Sequence, residues 1–492
     1  MPDIYELGVG IVYHSGIDNL IERTADLIDV FELEPQTIWF RESSENSKIK
    51  YDISVVERLQ TISKPLIFHG VGFPVGGTKP PDKIQIPILQ ELMDKMKPRW
   101  MSEHLSFNTA YNSEGKIFNT NLLLPPRQTT EGAACSIKSV LAMKEDIGIP
   151  FAFETGVNYL QPLADELSDG EFIARIAEGT DSYILLDLHN IYANELNGRQ
   201  SVKQFLNQIP LERVIEIHIA GGFYHDGYYL DAHSGISSDI LLEMTEKTVS
   251  ICPNLKAIIF EMLPEYSSRI SINELRDQFK SMREIWRKHR SEAKTKDKTY
   301  PLESGTYTKL NYSPYDWEYA LGNLVVGQDP GTELGEKLKN DKGIQIFREL
   351  LFHFRASIIV STLKLSSRLL RLSLGEKEFV SLINKFMEEY FPENFPFVVA
   401  VQFANFLRKQ NLSVKYLDDI LEYEETTIKV SSDNTPRTIY FDYNPLPLLR
   451  ALSNSKLPEE SLEAIKMEIE IKPDEQVENP NDLFKLNSVY HS

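Results

Sequence analysis

The chain has 492 residues, 42% hydrophobic and 25% charged, with a formal net charge of −20. That length calls for roughly two or three domains, the composition is that of a globular protein, and the acidic balance argues against a protein that grips nucleic acid through a basic face, a local patch aside. Two cysteines, Cys135 and Cys252, make no disulfide framework. There is no basic-then-apolar leader and no run of the ~18 apolar residues that a membrane span needs, so a cytoplasmic chain with reduced thiols is expected.

Short runs rich in Ile, Leu, Val and Phe, bounded by polar or turn residues, predict strands. In order they are YELGVGIV (5–12), TIWFRE (37–42), and runs at 65–69, 100–106, 150–154, 183–188, 214–219 and 256–261. Between them IDNLIERTADLIDVFE, ISVVERLQTI, IPILQELMDKM, EGAACSIKSVLAMKEDIG and ISSDILLEMTEKTVSI carry apolar residues at helical spacing. Such alternation forces parallel strands with right-handed crossovers. Eight units in about 260 residues fit a closed (β/α)8 TIM barrel over 1–290. The polar, Lys-rich SEAKTKDKTYPLESG predicts a linker over 291–310. Residues 311–470 read as a smaller, mainly helical domain, with TTIKVS and RTIYFDY paired as a hairpin across SSDNTP, and 471–492 as a polar tail.

Six of the runs end in, or lead into, a residue that binds metals: His69, His104, Glu154, Asp187 with Asn190, His218 and Glu261. Asp231 and His233 in YLDAHSG follow the fifth of these. In a TIM barrel the C-terminal strand ends share one face, where catalytic residues gather, so these nine groups are expected to converge. A lone buried His is ordinarily a hydrogen-bonded core residue, and an acid at a strand end is commonly a helix cap. Neither explanation covers the whole set, because uncompensated imidazoles and carboxylates in one pocket are costly. Imidazole with carboxylate suits Fe, Mn or Zn, without the thiolates of a closed structural zinc site. Nine groups suggest two or three ions sharing bridging carboxylates. His189 is expected to face away, and Asn190 is taken instead. His14, Asn121, Asn158 and His225 are candidate substrate contacts on the same side. The glycines of HGVGFPVGG and AGG read as turn chemistry beside a crowded site.

The ordered motifs GVGIVYH, WFRESSEN, LIFHGVGF, SEHLSFN, LLLPPRQT, FETGVNYL, LLDLHNIYANELNG, EIHIAGG, DAHSGIS and IIFEM, over about 6–290, resemble the multinuclear non-haem iron-dependent oxidases, which include the methanobactin-biosynthesis oxidase and are xylose-isomerase-like barrels. The resemblance implies that His69 and His104 hold one iron, with Glu154 bridging to a second held by Asp187, His218 and Glu261. It implies a third site at Asn190, Asp231 and His233. Thr155, where the family usually has Asn, and Leu196-Asn197-Gly198, where Asn-His-Gly is common, depart from the pattern beside ligands rather than at them. The implied activity is iron- and O2-dependent modification of a residue of a ribosomally made precursor peptide (Cys first, otherwise Asp or Asn), using mixed-valent Fe(II)/Fe(III). The family often works with a separate leader-binding partner, and 311–470 is expected to be such a partner fused in cis. The alternative is a zinc- or manganese-dependent hydrolase or isomerase of the same superfamily, apurinic-endonuclease-like, acting on a phosphoester or sugar. Neither nucleic acid nor membrane is an expected partner.

Overall fold

The computed structural model describes residues 4–41, 49–80, 83–292, 312–393, 395–433, 435–458 and 462–473. Nearly all of the expected linker, most of the expected tail and the end of WFRESSEN lie outside them. Among the described residues no helix is long and apolar enough to cross a membrane.

Eight parallel strands close into a barrel: β1 Gly8–Tyr13, β2 Val30–Leu33, β3 Leu66–Gly70, β4 Met101–His104, β5 Phe151–Glu154, β6 Tyr183–Asp187, β7 Val214–Ala220 and β8 Ala257–Glu261. Each pairs with its neighbours in sequence, and β1 closes on β8 through Gly8↔Ala257 to Ile11↔Phe260. The period of two along a strand explains why this frame presents chemistry at one end. Ile67, Ala152, Leu185 and Ile259 belong to one buried apolar cluster. Each precedes by two positions a ligand-type residue, respectively His69, Glu154, Asp187 and Glu261. The same inward face is thus apolar below and ionisable above. Helices between the strands start where the sequence offers caps: Thr129, Ser201 and Ser238 each accept a backbone N–H of the first turn.

One strand differs from expectation. TIWFRE is not in the barrel; Trp39–Arg41 pairs with Ile49–Tyr51 in a separate two-stranded sheet. The second barrel strand is VFEL, which had read as the end of a helix, and that helix stops at Thr24. All four residues of VFEL are buried, so its apolar run fills a two-sided core slot instead of a helical face.

The chain divides into two compact units, Met1–Trp39, Asp52–Ile117 and Leu122–Phe347 forming the first and Phe40–Tyr51, Phe118–Asn121 and Arg348–Ser492 the second. The described residues between the expected linker and Phe347 cluster with the first unit. Helices Pro314–Val325 and Glu333–Leu338 belong with the barrel, because Trp317 and Asn323 spend their side chains on the barrel-unit carbonyls of Pro125 and Tyr111.

The second unit has its own core, in which Leu369, Phe379, Phe386, Phe403, Phe406 and Leu421 pack together. The expected TTIKVS hairpin is absent. That segment lies in helix Leu417–Asp433, where Ile420, Tyr423 and Val430 are buried at helical spacing and burial overrides β-branched propensity. RTIYFDY instead forms β9, Arg437–Tyr443, antiparallel to β10, Ala464–Ile471. Glu424 of the same helix is fully buried and accepts the Leu365 and Ser366 N–H groups at 2.6 and 2.9 Å, capping helix Lys364–Leu374 from across the core. Burial outweighs those hydrogen bonds and pushes its carboxyl up to about 7. A raised folded-state pKa contributes stability that is complete below the unfolded value and is lost as pH rises through about 7. Denaturant unfolding should show the second unit weakening from pH 5 to pH 8, and Glu424→Gln should flatten that slope. Glu424→Ala should cost about 2 kcal/mol at pH 5 by leaving two amides unpaired.

Candidate metal centre

Six consecutive strands, β3 to β8, each deliver one ligand-type side chain to the barrel mouth: His69, His104, Glu154, Asp187, His218 and Glu261. Register aligns several of them directly, with His104 opposite Glu154 and Asp187 opposite His218. The loop after β7 adds Asp231 and His233. Three groups of three result, each with ligand atoms within 4.8 Å of one another: His69, His104 and Glu154; Glu154, Asp187 and His218; Asp187, His233 and Glu261. Glu154 belongs to the first two and Asp187 to the last two, so the groups form a row joined by shared carboxylates.

At one end the His69 and His104 Nε2 atoms stand 3.0 Å apart. Glu154 Oε2 lies 3.4 Å from His69 Nε2 and in closer contact with His104 Nδ1. His69 Nδ1 meets Ser102 Oγ at 2.8 Å, and the Ser102 hydroxyl donates to the Phe68 carbonyl at 3.3 Å. Ser102 thus holds the Nδ1 side of the His69 ring and leaves Nε2 facing the mouth. In the middle, His218 Nδ1 faces Glu261 Oε1 at 3.1 Å, while its Nε2 is backed by Glu32 at 3.2 Å and Glu216 at 3.7 Å. Trp100 donates to Glu216 at 2.8 Å. At the far end His233 Nε2 lies 2.9 Å from Asp231 Oδ1 and 3.2 Å from Glu261 Oε2. His233 holds φ +44°, a left-handed backbone that a non-glycine residue adopts at a cost.

Asp187 satisfies both readings of an acid at a strand end. Its Oδ1 caps helix Leu188–Leu196 by accepting the Asn190 N–H at 2.7 Å, and its Oδ2 is buried without a hydrogen bond. Glu154 Oε2, His218 Nδ1, Asp231 Oδ1, His233 Nε2 and Glu261 Oε2 are likewise buried and make no hydrogen bond, although each faces another ligand atom of the row. Buried polar atoms are normally paired. Lone pairs converging without hydrogens between them fit cations, so the donor set suits the metal that the sequence pattern implies.

The electrostatics match. Burial alone would depress His104, but the Glu154 carboxylate outweighs it and holds the ring up to about 9. His218 and His233 are raised well above the ordinary range against burial, by Glu261 and Glu32 in the first case and by Asp231 and Glu261 in the second. Burial, reinforced by the neighbouring carboxylates of Glu154, Asp231 and Glu261, holds Asp187 well above the usual carboxylate range. The protein alone balances this row by taking up protons; cations balance it without them.

The remaining candidates separate. Asn190 donates through Nδ2 to Glu154 Oε1 at 3.3 Å and so lies in the row. His14 directly follows β1 and receives the Ile17 N–H on its carbonyl. Asn158 is buried, and its Oδ1 accepts the Leu160 N–H, a loop-shaping role. Asn121 donates to the Glu393 carbonyl at 2.8 Å, within the second unit. His225 lies in the hairpin of Phe223–His225 with Tyr228–Leu230. His189 does not face away. The strand ends at Asp187, and the first helical turn carries this fully buried ring to 3.6 Å from Asp231.

Both family departures have a local use. The Thr155 hydroxyl accepts the Asp187 N–H at 2.9 Å, and the Asn197 amide clasps Tyr229 through both its N–H and its carbonyl. Sequence reasoning missed Glu32, Glu103, Ser102 and Glu216. Glu216 and Ser102 were legible two positions before His218 and His104. Glu32 was hidden by the misread strand. Glu103, raised to about 7 by burial, accepts the Phe73 and His104 N–H groups on the outer side. Metal-depleted protein given a divalent transition ion is expected to melt several degrees higher, since an ion bound only by the folded state stabilises it. Glu154→Ala should cost about two bound ions and His233→Ala about one, measured as metal per chain, because only Glu154 is shared between the first and second groups.

Relatives match part of this chain. A UPF0276 protein of Anaeromyxobacter sp. (strain Fw109-5) is 28% identical over 229 residues, 46% of this chain and 79% of that one. A UPF0276 protein of Chromobacterium violaceum is 29% identical over 220 residues, 44% of this chain and 78% of that one. Among solved structures, D-psicose 3-epimerase from Clostridium cellulolyticum H10 is 12% identical with a TM-score of 0.37, covering 58% of this chain and 100% of that one. The family model described as RiPP precursor modification enzyme MbnB/TglH/ChrH matches residues 8–285, more than half of the chain, and the chain belongs to that family.

Proposed function

We propose that the chain is a multinuclear non-haem iron oxidase that uses O2 to modify a residue of a RiPP precursor peptide, Cys first and otherwise Asp or Asn. The observation that carries this reading is the row of groups joined by Glu154 and Asp187, which suits ions sharing carboxylates rather than one isolated ion. His69, His104 and Glu154 would hold the first iron, Glu154, Asp187 and His218 the second, and Asp187, His233 and Glu261 the third, with Asp231 and Asn190 beside it. Bound iron would supply one-electron redox chemistry and affinity for O2; thiolate-free imidazole and carboxylate ligands are compatible with it.

The protein's own residues do the rest. Glu154, Asp187, His218 and Glu261 are at most 5% exposed, so bulk water is kept from the inner side of the row. His104, Asp231 and His233 are 20%, 16% and 24% exposed, which leaves the outer side open to a peptide side chain. Ser102 holds the Nδ1 side of His69, and Glu32 and Glu216 anchor His218 from behind, so that ligand directions are preset before substrate arrives. We assign capture of the precursor's leader to the second unit. Support comes from its independent core and from the place of its largest part, Arg348–Ser492, beyond the matched stretch; a chain ending at Phe347 that bound the precursor as tightly as the full chain would refute that assignment.

Anaerobic purification followed by metal analysis, Mössbauer spectroscopy and O2 uptake with the precursor peptide tests the main reading. Coupled iron and peptide-dependent O2 consumption are expected, with Glu154→Ala lowering turnover at least about 1,000-fold through loss of two ions. Stoichiometric zinc without O2 consumption would instead indicate a hydrolase or isomerase.

A further inference from the structure

Residues 312–347 lie beyond the family-matched stretch, yet they fold with the barrel unit. Helix Pro314–Val325, started by a Ser313–Asp316 capping box, sends three side chains into the barrel-unit loops. Trp317 donates to the Pro125 carbonyl at 2.9 Å, and Asn323 donates to the Tyr111 carbonyl at 2.8 Å. Glu318, 6% exposed, accepts both the N–H and the hydroxyl of Thr78 at 2.5 Å. Thr78 ends the glycine-rich loop after β3. In that loop the Val75 N–H donates to the carbonyl of His104 at 2.9 Å, and the Gly76 N–H donates to Ser106 at 2.8 Å. A Cβ at Gly76 would stand 2.8 Å from the Ser106 nitrogen, so the loop lies directly on the backbone that carries His104.

The other end of the segment reaches the opposite end of the row. Asp341 accepts the Gln161 N–H at 2.8 Å. Gly343 lies so close to the Tyr159 carbonyl that a Cβ would meet it at 2.4 Å. Phe347 packs edge-on against the buried Tyr159 ring at 5.3 Å. The Tyr159 hydroxyl accepts the backbone N–H of Asp231 at 3.1 Å, and Asp231 contacts His233.

We infer that Pro314–Phe347 braces both ends of the row, with Glu318 a positioning residue for His104 through the Thr78 loop and Phe347 a positioning residue for Asp231 through Tyr159. Two ends of one short segment thereby set the separation of the outermost ligand-type residues. This rests on the reading of the row as a metal site, but the bracing itself is a property of the protein without metal.

The test uses the full chain, hydrogen exchange of the metal-free protein, and Fe(II) retention against a competing chelator under anaerobic conditions. Glu318→Ala should speed exchange at 71–79 and leave 155–163 unchanged. It should also weaken Fe(II) retention about tenfold, with the loss matching that of His104→Ala. Glu318→Gln should restore both, since the amide oxygen still accepts the Thr78 N–H and the amide nitrogen donates to the rotatable hydroxyl. Tyr159→Phe, which keeps the ring and removes the hydroxyl, should weaken retention with the pattern of Asp231→Ala. Unchanged exchange at 71–79 with retention within about twofold of wild type overturns the brace. So does faster exchange throughout the barrel with all iron lost together, which marks mere structural support. If the wild-type chain takes up no iron the oxidase reading falls by itself, and exchange at 71–79 still decides the brace.

Discussion

The rest of the structure depends on the sharing of Glu154 and Asp187, each of which serves two neighbouring groups. A carboxylate in a largely buried barrel mouth is costly unless something positive meets it, and here four stand together: Glu154, Asp187, Asp231 and Glu261. Placing the sharers on adjacent strands solves the geometry. Neighbouring strands run about 4.8 Å apart, so six consecutive strand ends put ligand-type atoms at contact distances without help from flexible loops. The spacing of the six strand-borne groups is therefore set by the sheet, while Asp231 and His233 come from the loop after β7.

Behind the row lies a second layer of polar groups that face away from the mouth. Ser102 joins His69 to the Phe68 carbonyl, and Trp100, Glu216 and Glu32 form a chain that ends on His218. A carboxylate behind an imidazole raises its basicity and locks its orientation. Glu32 and Glu216 approach the same ring nitrogen from adjacent directions, with burial raising Glu32 well above the usual range. Glu216, by contrast, is held below the usual range against burial by His218.

The barrel and its ligand-type residues were legible because two independent periodicities agreed. Short apolar runs gave the strands, and chemistry-bearing residues recurred at the same point of each run. What stayed hidden follows from cases where local pattern and burial disagree. VFEL continued a helical spacing and so hid both β2 and Glu32. TTIKVS carried β-branched residues but was claimed by a helix whose buried face runs from Ile420 to Val430. The polar stretch before Tyr312 looked like a domain boundary, yet Trp317, Glu318 and Asn323 tie the next helix to the barrel loops by long-range bonds that no local spacing announces. His189 was misplaced for a simpler reason: residues two apart on a strand share a face, so an extended continuation would already have put it on the Asp187 side.

The two oxygens of Asp187 have a consequence of their own. One closes the first turn of Leu188–Leu196 while the other points into the mouth, so a single side chain belongs at once to the architecture and to the chemistry. That helix also carries Asn190 and His189, so one carboxylate links the start of the helix to the row of ligand-type residues.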